Sequence, residues 1–115
     1  MRRGDIVAVS LDPVRGSEAS KTRPAVVVSN DVANATATRL GRGVITVVPV
    51  TSNVDRIYPF QVQLPAKLTG LGRDSKAQAE QVRSVAIERI GERLGRLPAD
   101  IVAELDQAVR LHLSL

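Results

Sequence analysis

Apolar residues in this chain alternate with polar ones or gather in short blocks, and helical periodicity is clear only near the C-terminus. Asp5 to Leu11 (DIVAVSL) predicts a strand with Val7, Val9 and Leu11 on one face, which Asp12-Pro13 ends. Val14–Arg23 reads as a small polar loop with Gly16 and three hydroxyls. Ala25–Ser29 is a continuous, β-branched apolar run and predicts a central strand. Asn30–Ala37, rich in Asn, Asp, Thr and Ala, predicts a loop holding a single helical turn. Gly41-Arg42-Gly43 punctuates the chain before a second buried strand over Val44–Pro49.

Beyond Val50-Thr51-Ser52-Asn53, Phe60–Leu64 (FQVQL) alternates cleanly and predicts a half-exposed strand. Gly70 and Gly72 make a turn of Leu68–Asp74. Ser75–Ala86 fits neither period well and is read as two short strands, while Gly91 and Gly95 oppose a long helix after it. Pro98 opens the clear helix, with Ile101, Val102, Leu105, Val109 and Leu113 on one side. No repeat or linker interrupts the pattern. The expected architecture is mainly β (α+β), a small antiparallel barrel closed by a C-terminal helix, in a single domain over residues 1–115.

Composition narrows the chemistry. At 115 residues the chain suits one modest core. It has no cysteine, which excludes disulfides and thiolate–metal sites. The N-terminus turns acidic and meets proline without a signal-peptide run, and nothing approaches the roughly 20 apolar residues of a membrane helix. The cytoplasm is the expected compartment. Of 16 basic residues, 13 are arginine, whose planar fork suits phosphate, and the net charge is +4. Tyr58 and Phe60 are the two aromatics, too few for an extensive base-stacking sheet.

Several chemistries fall away. The single histidine, His112, lies beside the apolar stripe of the last helix and reads as structural or as a subunit contact. Without a second histidine no acid–base pair forms, and no Ser-His-Asp triad is available. The carboxylates are scattered without metal-ligand spacing, so neither a metal nor a cofactor is expected. Gly41-Arg42-Gly43 and Gly70-Leu71-Gly72 lack the lysine and the strand-to-helix setting of a phosphate loop. What remains stands at strand ends: Arg23 at the entry to one apolar strand, Thr51 and Ser52 at the exit of another, and Glu18 in the loop before Arg23. If the two strands are neighbours, a guanidinium, a hydroxyl and a carboxylate meet on one rim, a set suited to a rearranging phosphate. Taken singly, each is better explained as an ordinary turn or loop residue.

The blocks GDIVAVSLDPVRGSEASKTRPAVVVSND, VITVVPVTSN, YPFQVQL and AEQVRSVAIERIGERLG resemble, in order and nearly end to end, the MazF/PemK/Kid family of toxin endoribonucleases. The resemblance implies an SH3-like barrel, a homodimer, and sequence-specific, metal-independent cleavage of single-stranded RNA that inhibits translation and growth. It also implies a cognate antitoxin whose acidic, flexible tail covers the RNA site. The family's catalytic arginine before proline falls on Arg23, its catalytic threonine on Thr51 and its acidic loop residue on Glu18. RNA contacts are expected at the flanking Lys21, Ser52, Asn53 and Arg56. Many members carry a tryptophan where Val7 stands and an aspartate where Ser10 stands; both departures bear on base recognition and dimer detail more than on chemistry.

Mechanistically, the resemblance implies attack by the RNA's own 2′-OH on the adjacent phosphorus, leaving a 2′,3′-cyclic phosphate and a 5′-OH, so the protein supplies orientation and charge stabilisation. Two rivals come from other classes: a CcdB-type barrel toxin that poisons a protein target, and a plain nucleic-acid-binding barrel. CcdB toxins use an aromatic near the C-terminus, whereas this chain ends LHLSL. The joint presence of Arg23, Thr51 and Glu18 favours the ribonuclease over both.

Overall fold

The computed structural model describes residues 1–11 and 22–115. Among these, the elements in chain order are β1 (Asp5–Ser10), β2 (Thr22–Val27), α1 (Asp31–Leu40), β3 (Val44–Thr51), β4 (Gln61–Leu64), α2 (Ala66–Thr69), β5 (Ser75–Gln78), β6 (Arg83–Ala86), β7 (Ile90–Arg96) and α3 (Ala99–Leu113). Short 3-10 turns separate β5 from β6 and β6 from β7.

The continuous apolar runs have a direct cause: β1, β2 and β3 are buried on both faces. On one face Val7, Val9, Ala25, Val27, Ile45 and Val47 pack with Val85 and with Ala37 of α1. The alternate residues Ile6, Val26, Val48 and Val50 face a second cluster with Val62, Leu64 and Ala77, which α3 covers through Ile101, Leu105 and Ala108. Period-two alternation thus feeds two cores from three strands.

The expected closed barrel is not what forms. The fold is mixed α and β, with a seven-stranded antiparallel sheet whose hydrogen-bonded order is β4-β5-β3-β2-β1-β7, with β6 as a branch on β3. The path is open, ending at β4 and β7, so the SH3-like barrel implied by the resemblance is corrected to an open sheet. The reason lies in β3, whose first half pairs with β6 while its last residues, Val50 and Thr51, pair with β5. That division turns the β5–β4 hairpin over the sheet, and α3 packs against β4 with its buried stripe. Helix burial therefore substitutes for the strand pairing that would close a barrel.

Helix α1 differs from the sequence pattern. Asn30–Ala37 is not a loop but part of a ten-residue helix, α1. Its propensity is poor, yet the Asn30 side chain caps it by accepting from Ala33 N–H at 2.8 Å, and Gly41 ends it at φ 66°. Asn34, fully buried, then locks it to β2's exit: its amide donates to the Ser29 carbonyl at 2.9 Å and its oxygen accepts from the Ser29 hydroxyl. Asp31 accepts from the Arg3 backbone N–H at 2.7 Å, and that bond, ahead of other influences, holds its carboxyl below the usual carboxylate range. β7 is a full strand along β1, and no helix forms at its two glycines, as expected. The two short strands of 75–86 and the helix after Pro98 form as expected. His112 is exposed on α3. No helix among the described residues is long and apolar enough to cross a membrane.

Candidate active site

Arg23 is not a loop end. It lies inside β2, opposite Val9 of β1, and strand structure begins at Thr22. Pro24 is tolerated within this strand, and its ring keeps Arg23 extended. On the other edge of β2, Ala25 pairs with Pro49 of β3. Two residues further along each strand stand Arg23 and Thr51, at the same end of the sheet and, by alternation, on the same face.

The two residues line one open cleft of about 260 Å³. Val50 of β3 and Ser52 just beyond it continue its wall, and the turn after α2 completes it with Gly72 and Arg73. Arg73 was not a sequence candidate, since Leu68–Asp74 reads only as a turn. A second arginine therefore lines the same cleft as the first. Arg23 and Arg73 are both solvent-exposed, and among the described residues no carboxylate lies within ion-pair distance of either. The described lining carries guanidinium and hydroxyl groups and no carboxylate, a donor set for an anion rather than for a metal ion.

The local chain shapes the hydroxyl. Thr51 Oγ1 accepts from the Asn53 N–H at 3.2 Å, and Asn53 Oδ1 accepts from the Asp55 N–H at 3.2 Å. These two turns in series direct the chain away from the sheet, and in the first the threonine oxygen is the acceptor, so its own hydrogen points elsewhere. Thr51 pairs across β5 with Lys76, a buried lysine that donates to the Arg56 carbonyl at 2.6 Å. Lys76 thus pins the outgoing loop beside the cleft. Asn53 and Arg56 lie on that loop and outside the cleft lining. Glu18 and Lys21 fall outside the described residues. Of the seven sequence candidates, Arg23, Thr51 and Ser52 are gathered in one place.

Relatives of known identity resemble the chain along its whole length. Endoribonuclease MazF9 of Mycobacterium tuberculosis is 67% identical over 115 residues, which is all of this chain and 98% of that protein. Endoribonuclease EndoA of Bacillus subtilis is 31% identical over 116 residues, covering 100% of this chain and 96% of that one. Among solved structures, MazF from Deinococcus radiodurans matches with a TM-score of 0.75 at 32% identity, covering 100% of this chain and 97% of its own. A MazE-MazF structure from the same organism gives a TM-score of 0.78 at 32% identity, over 100% and 96% of the two chains. The family model for the PemK-like, MazF-like toxin of type II toxin-antitoxin systems matches residues 2–113, and this chain belongs to that family.

Proposed function

We propose that the protein is the toxin of a toxin–antitoxin pair, a sequence-specific endoribonuclease that cuts single-stranded RNA without a metal and thereby inhibits translation and growth. The observation that carries this is the cleft in which Arg23 and Thr51 meet at adjacent strand ends, in a chain 67% identical to an endoribonuclease over its full length.

The scissile phosphate sits against Arg23 and Thr51. The 2′-oxygen attacks phosphorus as its proton is removed, the P–O5′ bond breaks, and the departing 5′-oxygen takes up a proton from water. Arg23 neutralises the non-bridging oxygens as negative charge builds on them. Thr51 donates its hydroxyl hydrogen to the same phosphate, and Ser52 and Arg73 hold the flanking backbone. Glu18, five residues before Arg23, orients that guanidinium or accepts the 2′-OH proton. Lys21, Asn53 and Arg56 extend the cationic and polar path along the strand. The working unit is a homodimer, found in the cytoplasm. A cognate antitoxin with an acidic tail competes for the same groove, since an arginine-lined cleft attracts carboxylates as it attracts phosphates.

Incubation of the purified protein with long single-stranded RNA, followed by mapping of the new ends, tests this reading. Cleavage at a short recurring motif is expected, and it should persist undiminished in excess chelator. Loss of activity with chelator and its return with a divalent ion would contradict the metal-free mechanism. Thr51→Val keeps the side chain's shape and removes its donor, so single-turnover cleavage should slow roughly ten- to hundredfold with RNA affinity little changed. An unchanged rate in that variant would remove Thr51 from the mechanism.

A further inference from the structure

Large aromatic side chains normally dominate a protein core because of the area they bury. Here the core is built wholly from aliphatic residues, and the chain's two aromatics sit together on the loop that leaves the cleft. The Tyr58 and Phe60 rings stack with centroids 5.4 Å apart and planes within 1° of parallel. Arg56 lies over Tyr58, its guanidinium carbon 5.5 Å from the ring centroid, and donates to the tyrosine hydroxyl at 3.3 Å. Tyr58 nevertheless keeps 42% of its surface exposed.

The stack is held in place from beneath. Gln61 accepts from the Tyr58 N–H through its side chain at 3.1 Å and donates its own N–H to the Tyr58 carbonyl at 2.9 Å. The Gln61 amide in turn donates to Glu80 at 2.7 Å. Lys76, the cross-strand partner of Thr51, fixes the Arg56 carbonyl. A surface pair of aromatic rings, topped by a guanidinium and anchored to β4 and to β5, the strand beside Thr51, is a pre-ordered platform.

We propose that Arg56, Tyr58 and Phe60 form a stacking subsite for one unpaired nucleobase beside the scissile phosphate, and that this subsite contributes to sequence selection. The proposal rests on the ribonuclease reading above. A base splayed out of a single strand has a free π-face to lay against the stack, whereas a duplex keeps its bases paired and stacked on one another. Arg56 adds a cation that serves the base face and the adjoining phosphate. Two rings cannot make the extended stacking surface of an RNA-binding sheet, but they suffice for one base.

The chain has one tyrosine and no tryptophan, so its intrinsic fluorescence reports Tyr58 alone. Once a cleavage site has been mapped, the probe is an uncleavable all-2′-O-methyl oligonucleotide of that sequence. Companion oligonucleotides carry an abasic site at each flanking position in turn. Binding of the parent oligonucleotide should change Tyr58 emission, and one abasic position should abolish the change and weaken binding about tenfold. Tyr58→Leu should bind the parent about tenfold more weakly and lose that discrimination, while Tyr58→Phe, which retains the ring, should restore it. If the wild-type protein cuts RNA but its emission ignores binding, or Tyr58→Leu discriminates as the parent does, the platform idea is wrong and the ribonuclease reading stands. If the wild-type protein cuts no RNA, the ribonuclease reading fails and the subsite falls with it.

Discussion

Arg23→Ala should cut RNA about 10²–10³-fold more slowly than the parent, the loss usual for one donor aimed at developing charge. The effect should fall on the rate of the chemical step more than on affinity, because the remaining cations of the groove still attract the RNA backbone. Arg73 cannot take over, since it reaches the cleft from the turn after α2 rather than from β2. Arg23→Lys should recover only part of the rate, as an ammonium keeps the charge but loses the planar two-point contact. Folding should be unaffected, because the side chain is exposed and fills no core. Single-turnover rates with circular dichroism on each variant measure both points. A folded Arg23→Ala protein cutting near the parent rate would mean that the arginine is merely a surface residue of β2.

The largest expected effect on stability lies at Gly95. A β-carbon built there would stand 2.0 Å from the backbone carbonyl oxygen of Thr69, closer than any real contact allows. Thr69 cannot easily yield: it is buried, its hydroxyl donates to the Pro65 carbonyl at 2.9 Å, and it accepts from the Leu71 N–H at 3.3 Å. Gly95→Ala must therefore push β7 away from α2, with a loss near the upper end of the overpacking range, about 3 kcal/mol. The turn carrying Arg73 follows α2 directly, so the same displacement should also disturb the cleft. Gly72→Ala is the matched control, because its added methyl meets nothing within 4 Å. Chemical denaturation of both variants tests the contrast; equal stabilities would show that the β7–α2 approach is not constrained.

Legibility from sequence followed burial. The strands with both faces buried announced themselves as apolar runs, unbroken at Ala25–Val27 and interrupted only by Thr46 over Ile45–Val50. Closure of the sheet was not legible, because it depends on which partners the two halves of β3 take, a long-range choice that no local pattern encodes. Helix α1 was hidden because it buries only Asn34 and Ala37 and so lacks an apolar stripe. Its stability comes from a cap and from the Ser29–Asn34 hydrogen bonds, which are tertiary. In β7 the glycines spoke rightly against a helix, but sequence did not show that they mark close approach: Gly91 packs against the Ala8 carbonyl and Gly95 against that of Thr69.

The site divides the same way. Arg23 and Thr51 were visible because each adjoins a legible strand, and antiparallel neighbours bring an entry and an exit to one rim. Arg73 was invisible because the direction of a glycine turn is set by what packs beneath it. The Tyr58–Phe60 stack was likewise unreadable, since alternation in FQVQL says nothing about the residues before it.

The central claim is that the cleft around Arg23 and Thr51 positions a phosphate while the RNA supplies its own nucleophile. The most direct measurement replaces the single 2′-OH at a mapped cleavage site by hydrogen in an otherwise unchanged RNA, and follows strand scission with analysis of the termini. No cleavage of the substituted linkage is expected, and the unmodified one should give a 2′,3′-cyclic phosphate with a 5′-OH. Scission of the 2′-deoxy linkage at a comparable rate would contradict that claim, because another nucleophile would then have to be at work.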